Sequence, residues 1–504
     1  MWSAVFVQDM RRVILSLTAI VVTLSLSAQQ QTESFFERAQ REFDAFKKQS
    51  NEEFSSFRKK ANEEYSEFLK HAWREFGVED PVAPPKVDPP VQPVAPPEPP
   101  READKPINPR PLVFKDIKPI DTPVVPPQPK LEVPEVTPEE EPFMLPMPVN
   151  FFGAKCTVRL KPGVGEVILA SVSNETISNA WRELSDGRFD AMFADCIAIR
   201  EELNLCDWGY FQLAKRVAEE FCEAKNSNNS KILQAFLMTQ AGYKIRMARE
   251  NNKLFLLFPS KAQISGKPFL RLGETNFYIL DEDGFTAKRI SVCDAAFPGE
   301  QGFTMEIPTL PDLPYVASVE RFHKSTKYPD ANIAFAPNKN LIAFFNTFPQ
   351  VSWDIFAYGS LSQHTKDTIY PRLRKAIEGK SEAAAANILI NFVQTGFKYK
   401  VDQEQFGYER SLFGDETLFY EFCDCEDRAI LYSIFIRDLL GLKVALIHYP
   451  GHLATAVCFN DVYGDYLQVG NDKYTICDPT FINASIGLTM TGMNNEEAEV
   501  LLLQ

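Results

Sequence analysis

The chain has 504 residues, of which 45% are hydrophobic, and its formal net charge at pH 7 is −15. This length exceeds that of one compact domain, so we expect two or more domains, and the hydrophobic fraction is sufficient for a substantial core. The negative charge argues against nucleic acid as a partner, because a basic surface is what attracts a phosphate backbone.

Residues 1–28 have the pattern of a secretory signal peptide. Arg11 and Arg12 form the basic region, residues 13–26 form the apolar region, and Ala28 marks a cleavage edge. Leu26 is a poor residue three positions before the cut. Left uncleaved, the apolar run would be an anchor, although it is short for a full membrane span. The sequence therefore predicts export, to the periplasm or the medium.

The chain contains nine cysteines, an odd number. In an exported protein this leaves at least one free thiol, as a cysteine nucleophile requires. Apart from the candidate nucleophile discussed below, the cysteines lie mostly in apolar segments. We therefore predict buried thiols and not a disulfide framework.

Residues 30–77 carry aromatic side chains at an 11-residue period, which is typical of a nearly straight helix with slight right-handed supercoil. The two series are Phe35, Phe46, Phe57 and Phe68, and Phe43, Phe54, Tyr65 and Phe76. One helix cannot bury such a stripe alone, so it must pack on its own domain or on a partner. Because the polar face mixes both charge signs, we favour self-association over membrane binding.

Residues 78–148 hold well over half of the 36 prolines and show no periodicity. Such a composition is typical of an extended, disordered spacer. The sequence therefore predicts that the Phe-repeat helix is separated from the folded part of the chain by a semi-stiff linker.

Folded sequence resumes near Val149. Residues 149–300 begin with four predicted helices, which span 174–187, 189–203, 210–222 and 231–241. Residues 301–360 contain short alternating runs punctuated by Pro and Asn, including 316–320 and 341–345. These runs predict strands and therefore a small β-rich connector. Residues 361–504 form the last predicted domain, which opens with helices at 368–377 and 383–395.

Cys425 lies at or just before the start of a predicted helix. Apolar residues such as Ile430 and Ile434 recur at helical spacing until Gly441 stops the pattern. At a helix N-terminus the unpaired amides and the macrodipole favour an anion, so the pKa of the thiol is expected to fall. The acidic residues that follow Cys425 oppose that fall.

Two further polar residues follow in a suggestive order. His452 comes after a Pro-Gly turn and opens the alternating run 453–459, which predicts a strand with His452 at its exposed mouth. Asp478 ends a second short strand, 474–477, and Pro479 stops it. One helix start facing two neighbouring strand ends can bring Cys425, His452 and Asp478 together. We expect Cys425 to attack, His452 to move the proton and Asp478 to hold the imidazole tautomer.

Three motifs carry these residues: Cys-Glu-Asp-Arg-Ala-Ile-Leu, Gly-His-Leu-Ala-Thr-Ala-Val and Cys-Asp-Pro-Thr. In order and spacing they resemble the core pattern of the transglutaminase-like cysteine hydrolase superfamily, in its exported bacterial type. The resemblance covers about the last quarter of the chain. It implies an α+β, papain-like fold and acyl-enzyme chemistry on an amide. No metal or organic cofactor is expected.

Neighbouring residues offer alternatives for the same roles. Cys423 is the rival nucleophile, but it lies further from the helix start. His448 is the rival base, within the apolar run 444–449, where burial in the core is favoured. A zinc site built from Cys423, Cys425, His452 and Asp478 is disfavoured, because Cys-x-Cys is tighter than the usual structural zinc spacing.

Residues 149–300 repeat the order of elements in the catalytic region. The run that starts at Gly242 aligns with the run at Gly441, and the strands that end at Asp281 align with those that end at Asp478. In this register Asn226 or a neighbour replaces Cys425, and Lys253 replaces His452. We therefore predict an internal duplication whose first copy, with Asp281 alone, is inactive.

The sequence thus predicts an exported cysteine peptidase, amidase or acyltransferase that acts on peptide or protein amide bonds. Hydrolysis is the preferred reaction. The alternatives are a protein-cross-linking transglutaminase and a non-catalytic scaffold that binds through the helix and the inactive copy. Phe419, Tyr420 and Phe422 are candidates for a substrate groove, although core packing explains them equally well.

Overall fold

The computed structural model describes residues 55–83, 108–119, 133–134, 143–280 and 285–503. The predicted signal peptide, the start of the Phe-repeat segment, most of the proline-rich tract and Asp281 lie outside these residues. Residues 1–60 and 61–504 are two compact units. Nowhere in the described ranges is there a helix with the length and apolar content needed to cross a membrane.

The fold class is α+β, as predicted. The helices are α1 (55–71), α2 (Asn174–Leu184), α3 (Asp190–Glu202), α4 (Asp207–Phe221), α5 (Asn228–Gln240), α6 (Lys339–Phe345), α7 (Trp353–Tyr358), α8 (Gln363–Ile377), α9 (Glu382–Gly396), α10 (Asp402–Gln405), α11 (Gly414–Phe419) and α12 (Cys425–Phe435). A π-helical turn, Ile436–Leu440, continues α12.

Two large sheets accompany the helices. The strands are β1 (Trp73–Gly77), β2 (Arg110–Pro111), β3 (Asp116–Pro119), β4 (Leu145–Phe151), β5 (Ala154–Leu160), β6 (Arg246–Glu250), β7 (Lys253–Ser260), β8 (Phe269–Leu272), β9 (Thr275–Ile279), β10 (Arg289–Cys293), β11 (Arg321–His323), β12 (Ile333–Phe335), β13 (Lys398–Tyr399), β14 (Phe422–Cys423), β15 (Val444–Tyr449), β16 (His452–Cys458), β17 (Asp465–Val469), β18 (Asp472–Cys477) and β19 (Glu499–Leu503).

The two large sheets share one strand order. The first is β1-β10-β6-β7-β9-β8, and the second is β2-β17-β18-β16-β15-β19-β3. Without its edge strand β1, the first sheet has the order β10-β6-β7-β9-β8. Read in reverse and without its edge strands β3 and β2, the second has the corresponding order β19-β15-β16-β18-β17. All these central neighbours are antiparallel. Each sheet is preceded by a helix that ends just before a glycine with positive φ, Gly242 or Gly441.

The Phe-repeat helix ends earlier than predicted. Helix α1 stops at residue 71, and β1 follows as an edge strand paired with β10. Tyr65 is 2% exposed and packs against Trp181 at 4.8 Å between ring centroids, whereas Phe68 is 50% exposed. The two aromatic series therefore differ in burial. One enters the core of the folded unit, which the repeat pattern alone did not indicate.

The proline-rich tract is not entirely a spacer. Strands β2 and β3, which lie within the predicted linker, add to opposite edges of the second sheet, parallel to β17 and β19. Strand β4 begins at Leu145, before the predicted start of the folded sequence. Proline is compatible with such positions because an edge strand leaves some backbone N–H groups outside the ladder.

The predicted connector, 301–360, contains a small two-stranded sheet, β11–β12, and two short helices, α6 and α7. Asn338 caps α6 by accepting a hydrogen bond from the backbone of Asn340, and Leu341, Ile342, Phe344 and Phe345 are its buried residues. Burial at positions i, i+1, i+3 and i+4 is helical spacing, so the predicted strand at 341–345 is wrong. Residues 316–320 likewise form no strand of the described structure and make one isolated bridge, at Ala317.

One buried apolar cluster runs across the predicted boundaries at residues 300 and 360. Trp208 of α4 contacts Phe348 at 5.7 Å between ring centroids, and Phe348 contacts Phe413 at 5.2 Å. The connector therefore joins the helices of the first half to the region around Phe413 through aromatic packing. This shared core holds the elements that carry Cys425, His452 and Asp478 in place.

We predict that Tyr65→Ala lowers the free energy of unfolding by about 3–5 kcal/mol, because it removes a fully buried aromatic ring. Phe68→Ala, in the same helix but half exposed, should change it by less than about 0.5 kcal/mol. Urea unfolding of both variants measures the difference. Equal effects of the two substitutions would contradict the packing of Tyr65 in the core.

Strand β2 is tied to the second sheet by an ion pair. Both carboxylate oxygens of Asp465 accept hydrogen bonds from Arg110 at 2.6 Å. Burial alone would raise the pKa of Asp465, but Arg110 and Thr489 hold it below its usual value. A carboxylate with a lowered pKa contributes stability above its unfolded pKa, and this contribution is lost as the pH falls through the folded value.

Asp465→Asn should therefore cost about 1–2 kcal/mol at pH 7 and close to nothing at about pH 2. Urea unfolding of the variant and the native protein at both pH values measures the effect. The control is Asp472→Asn, whose pair with Lys443 is more exposed and should cost less than about 0.5 kcal/mol. A cost for Asp465→Asn that persists unchanged at low pH would rule out the ionic contribution.

Candidate active site

The predicted helix after Cys425 is confirmed. Cys425 is the first residue of α12, and Asp424 precedes it with extended backbone. The backbone N–H of Asp424 donates to the Asp427 carboxylate at 3.4 Å, which ties the chain to the first turn. The π-helical turn then ends at Gly441, whose φ of 67° accommodates the left-handed conformation of a helix stop.

The two predicted strand ends are also confirmed. His452 is the first residue of β16, and Asp478 directly follows β18. These strands are antiparallel neighbours, with Thr455 opposite Cys477. The start of one therefore lies beside the end of the other, and this pairing delivers the imidazole and the carboxylate to the same edge of the sheet.

His452 and Asp478 are in direct contact. Nε2 of His452 lies 2.8 Å from Oδ2 of Asp478, and the two side chains are 0% and 3% exposed. The other carboxylate oxygen, Oδ1, accepts from the backbone N–H groups of Thr480 and Phe481 at 2.9 and 3.2 Å. With one oxygen held by the backbone, the second is fixed toward the imidazole.

The second nitrogen of the imidazole is open. Nδ1 of His452 is buried and has no hydrogen-bond partner among the residues that the structure describes. Helix α12 packs on β16, and the backbone amide of Leu453, the next residue after His452, hydrogen-bonds the Cys425 thiol. His452, whose Nδ1 has no partner, therefore lies at the start of β16, which Cys425 contacts through Leu453.

The thiol itself differs from the prediction. Cys425 is 1% exposed, and its Sγ donates to Oε2 of Glu426 at 3.3 Å. Burial raises the pKa of Cys425, and the charges of Glu426 and Asp424 raise it further, whereas the Leu453 amide lowers it. The expected fall of the pKa is wrong for this arrangement, because desolvation and buried acids outweigh the helix terminus.

The predicted exposure of His452 is also wrong. The strand opens inside the protein, with His452 0% exposed. Tyr399 of β13 lies close enough to Cys425 for the thiol to contribute, after burial, to the raised pKa of Tyr399. Cys425, His452 and Asp478 are thus all enclosed by the protein, which the strand pattern could not indicate.

The rival residues occupy other surroundings. Cys423 is buried in β14, and burial raises its pKa to about 12. His448 is half buried, and its ring packs on Trp353 at 4.7 Å between centroids. Asp478 is hydrogen-bonded to His452. In the described part of the chain, the groups that could surround a metal ion consist of carboxylates alone, so the four residues of the disfavoured zinc site do not form one.

Phe419, Tyr420 and Phe422 are all half buried. Phe419 and Tyr420 contact each other at 4.9 Å between ring centroids, and Phe422 lies under the cations of Lys398 and Lys400. These contacts give each ring a packing role next to β14. A substrate groove lined by these three rings stays a prediction.

Sequence reasoning missed the residues that fix the loop after Asp478. Three buried amides on α9 each hydrogen-bond this loop. The contacts are Asn387 Oδ1 with the Ile486 N–H at 3.0 Å, Asn391 Nδ2 with Asn483 Oδ1 at 3.0 Å, and Gln394 Nε2 with the carbonyls of Asp478 and Ala484 at 3.0 and 3.1 Å. Their spacing of four and three residues within an otherwise apolar helix was the available signal, since amides on a buried face need partners.

Comparison of the chain with protein-family models gives no match, and comparison with curated proteins and with solved structures gives none either. The resemblance to the transglutaminase-like superfamily therefore rests on the three motifs and their order.

We predict that Gln394→Leu lowers the free energy of unfolding by about 1–3 kcal/mol, because it removes two hydrogen bonds from buried carbonyls. Gln468→Leu is the matched control. Its amide bonds the carbonyl of Gly470 in an exposed turn, so the change should stay within about 0.5 kcal/mol. Urea unfolding of both variants measures this, and a neutral Gln394→Leu would show that the amide does not fix the loop.

Proposed function

We propose that the protein is a cysteine hydrolase or acyltransferase that cleaves amide bonds of peptides or proteins, with a papain-like, transglutaminase-like catalytic core. The observation that carries this proposal is the buried His452–Asp478 pair at 2.8 Å. The other imidazole nitrogen, Nδ1, has no partner among the described residues, and Cys425 contacts the next residue of the strand, Leu453. A histidine placed only for packing has no need of a buried carboxylate on one nitrogen and an open second nitrogen.

The contact with Asp478 supports a separate role for each imidazole nitrogen. A carboxylate on Nε2 keeps the proton there, so Nδ1 carries the lone pair. Nδ1 can then take the proton of the Cys425 thiol as sulfur attacks the carbonyl carbon of the substrate. The imidazolium returns that proton to the leaving amine as the C–N bond breaks. A thioester on Cys425 is left, and Asp478 stabilises the charged imidazole during the transfer.

Release of the acyl group distinguishes hydrolysis from transfer. Water attacks the thioester with Nδ1 as base and yields a carboxylic acid, whereas a lysine amine yields a cross-linked amide. Hydrolysis is the preferred reaction, and cross-linking by a transglutaminase is the alternative. Both share every step up to the thioester.

Because the site is enclosed, substrate would reach Cys425 only after a local opening of the structure. This enclosure, with a thiol 1% exposed, is the observation that favours the other candidate, a non-catalytic scaffold. The arrangement of His452 and Asp478 favours the enzyme, since a scaffold gains nothing from an oriented imidazole.

We also propose that the first half is an inactive copy of the catalytic half. The shared strand order supports this duplication, as does the register at the two strand starts. Lys253 pairs with Glu250 as His452 pairs with Tyr449. Helix α5 starts at Asn228, whose Oδ1 accepts from the Leu254 N–H at 2.9 Å. Asn228 therefore stands where Cys425 stands, two residues from the expected Asn226. With lysine in place of histidine, this copy has no base for the thiol chemistry.

Export and self-association belong to the same proposal. The signal-like pattern of residues 1–28 supports delivery to the periplasm or the medium, where a peptide or protein substrate would be met. The exposed Phe57 and Phe68, at 58% and 50%, support association of copies through the Phe-repeat helix.

We predict that iodoacetamide at neutral pH alkylates Cys425 at least about tenfold faster in the native protein than in His452→Ala, because Nδ1 removes the thiol proton. The matched control is His448→Ala, which removes the neighbouring imidazole and should leave the rate unchanged. Peptide mapping by mass spectrometry gives the rate at Cys425 separately from the other eight thiols. Equal rates in the two histidine variants would favour the scaffold.

Turnover gives the second readout of the same proposal. Asp478→Asn should lower peptide release, or amine incorporation into a protein acceptor, by at least about a hundredfold. Peptide release without amine incorporation identifies a hydrolase, and the reverse result identifies a cross-linking enzyme.

A further inference from the structure

The proline-rich tract supplies a strap, residues 110–119, that joins the two edges of the second sheet. Strand β2 pairs with β17 at one edge, and β3 pairs with β19 at the other. A flat sheet would separate β2 from β3 by six strand spacings, or about 29 Å, whereas the chain from Pro111 to Asp116 reaches at most about 18 Å. The sheet is therefore curled, and the strap crosses the opening between its edges.

The strap is held at defined positions along the sheet. Its backbone pairs with both edge strands, and every cation of the strap lies beside a carboxylate of the sheet or of the loop before β19. A single exposed ion pair contributes little to stability, but three pairs at fixed positions set where the strap lies. The pairs are Arg110–Asp465 and Lys115–Glu496, both at 2.6 Å, and Lys118–Glu499 at 2.5 Å.

Phe114 is the aromatic anchor of the strap. Its side chain is 9% exposed, whereas that of the neighbouring Val113 is 73% exposed. The buried cluster that Phe114 joins contains residues of all five central strands, β15 to β19. The strap therefore fills the inside of the curled sheet with one ring from the proline-rich tract.

This ring begins a row of three that ends at the candidate catalytic imidazole. The centroid of Phe114 lies 6.3 Å from that of Tyr449. The centroid of Tyr449 lies 6.4 Å from that of His452, and these two rings are nearly parallel, at 15°. Both distances are typical of aromatic contacts. Tyr449 and His452 are also directly opposite each other in the β15–β16 ladder, so a single side chain connects the strap to the imidazole.

Packing decides how the middle ring is oriented. Tyr449 is 1% exposed, and its hydroxyl has no hydrogen-bond partner among the residues that the structure describes. Without a polar contact, the orientation of the ring depends on its neighbours, of which Phe114 is one. The imidazole has a similar need, because its hydrogen bond to Asp478 at Nε2 fixes one atom of the ring and not its plane. The nearly parallel face of Tyr449 can fix that plane.

The first half lacks this row of rings. Residues 73–79 join the corresponding edges of the first sheet, since β1 pairs with β10 and the chain after β1 forms a bridge to β8. At the ladder positions of Tyr449 and His452, however, the first sheet has Glu250 and Lys253. Closure of the sheet is thus common to both halves, whereas the aromatic row accompanies the candidate triad.

We propose that Phe114 and Tyr449 are positioning residues for the His452 imidazole. The strap seats Phe114 on Tyr449, and Tyr449 holds the plane of the imidazole so that Nδ1 keeps one orientation for taking the thiol proton of Cys425. A segment of the proline-rich tract is in this way part of the catalytic unit. The inference rests on the proposed function and adds to it the residues that orient the base.

The first experiment measures the contribution of His452 to alkylation of Cys425 by iodoacetamide in the full chain. This contribution is the ratio of the rates with and without His452→Ala. Phe114→Ala should lower the ratio at least about threefold, because a misplaced base is less effective. Phe114→Leu, which keeps apolar volume but removes the ring, should act in the same direction. Val113→Ala is the matched control and should leave the ratio unchanged.

The same variants separate positioning from a general loosening of the site. In the His452→Ala background, Phe114→Ala should leave the alkylation rate unchanged, because its effect passes through the imidazole. If Phe114→Ala instead changes the rate by the same factor with and without His452, the strap acts through exposure of the thiol and the proposal is overturned.

Two substitutions of the middle ring test the order of contacts. Tyr449→Phe keeps the ring and should leave the ratio unchanged, whereas Tyr449→Leu should lower it at least about threefold. Phe114→Ala combined with Tyr449→Leu should lower the ratio no further than Tyr449→Leu alone, since both act through one contact. Additive losses, or an equal loss in Tyr449→Phe and Tyr449→Leu, would overturn the proposed row.

Nuclear magnetic resonance of the imidazole gives a readout that does not depend on reactivity. The chain has five histidines, so histidine-selective ¹⁵N labelling gives few signals, and His452→Ala assigns those of His452. Phe114→Ala should shift or broaden the His452 signals, and Val113→Ala should not.

The two readouts distinguish the two possible failures. Altered His452 signals in Phe114→Ala, with native alkylation independent of His452, would mean that the proposed function fails and the positioning contact stands. Unaltered signals and an unaltered ratio in Phe114→Ala, with native alkylation dependent on His452, would overturn the positioning role and leave the proposed function.

Discussion

The contact between His452 and Asp478 depends on one constraint, which is that β16 and β18 are antiparallel neighbours. Their pairing, with Thr455 opposite Cys477, places the first residue of one strand beside the residue that follows the other. The hydrogen bond at 2.8 Å then needs only the backbone N–H groups of Thr480 and Phe481 to fix the carboxylate. A different strand order would separate these side chains by a strand width for every strand placed between them.

Burial gives this site its particular electrostatic character. Cys425 stands at a helix N-terminus, where partial positive charge favours a thiolate, yet it is enclosed together with acidic residues. In a region of low dielectric, desolvation and the charges of Glu426 and Asp424 outweigh that partial charge. The proposed enzyme therefore requires that the site opens to solvent, that these acids are neutralised, or both.

The rest of the chain supports this edge of the sheet through a common core. Aromatic side chains of the connector, such as Phe348, contact both Trp208 in the first half and Phe413 near the site. The first half has the same strand order as the second, but Lys253 opens the strand where His452 opens its counterpart. The first half shares its buried core with the second, and the buried Tyr65 extends this packing to the Phe-repeat helix.

The local elements of the site were predictable from the sequence alone. Helical periodicity up to Gly441 indicated α12, and alternation after His452 indicated β16, because side-chain spacing records which face of an element is buried. Capping by Asn338 and the buried pattern of Phe344 and Phe345 were present in the sequence too, but a short apolar run reads equally well as strand or helix. The three amides of α9 indicated that buried hydrogen-bond partners exist, but the sequence did not identify those partners.

Other properties were decided only by the tertiary structure. The strands from the proline-rich tract, the enclosure of Cys425 and the hydrogen bonds of Gln394 to the loop after Asp478 join residues that are far apart in the chain. Such contacts depend on which segments pack together, which no local pattern encodes. The pKa of a buried group is set by all the charges and solvent around it, so the sequence identified the candidate residues, and only the fold determined their electrostatic state.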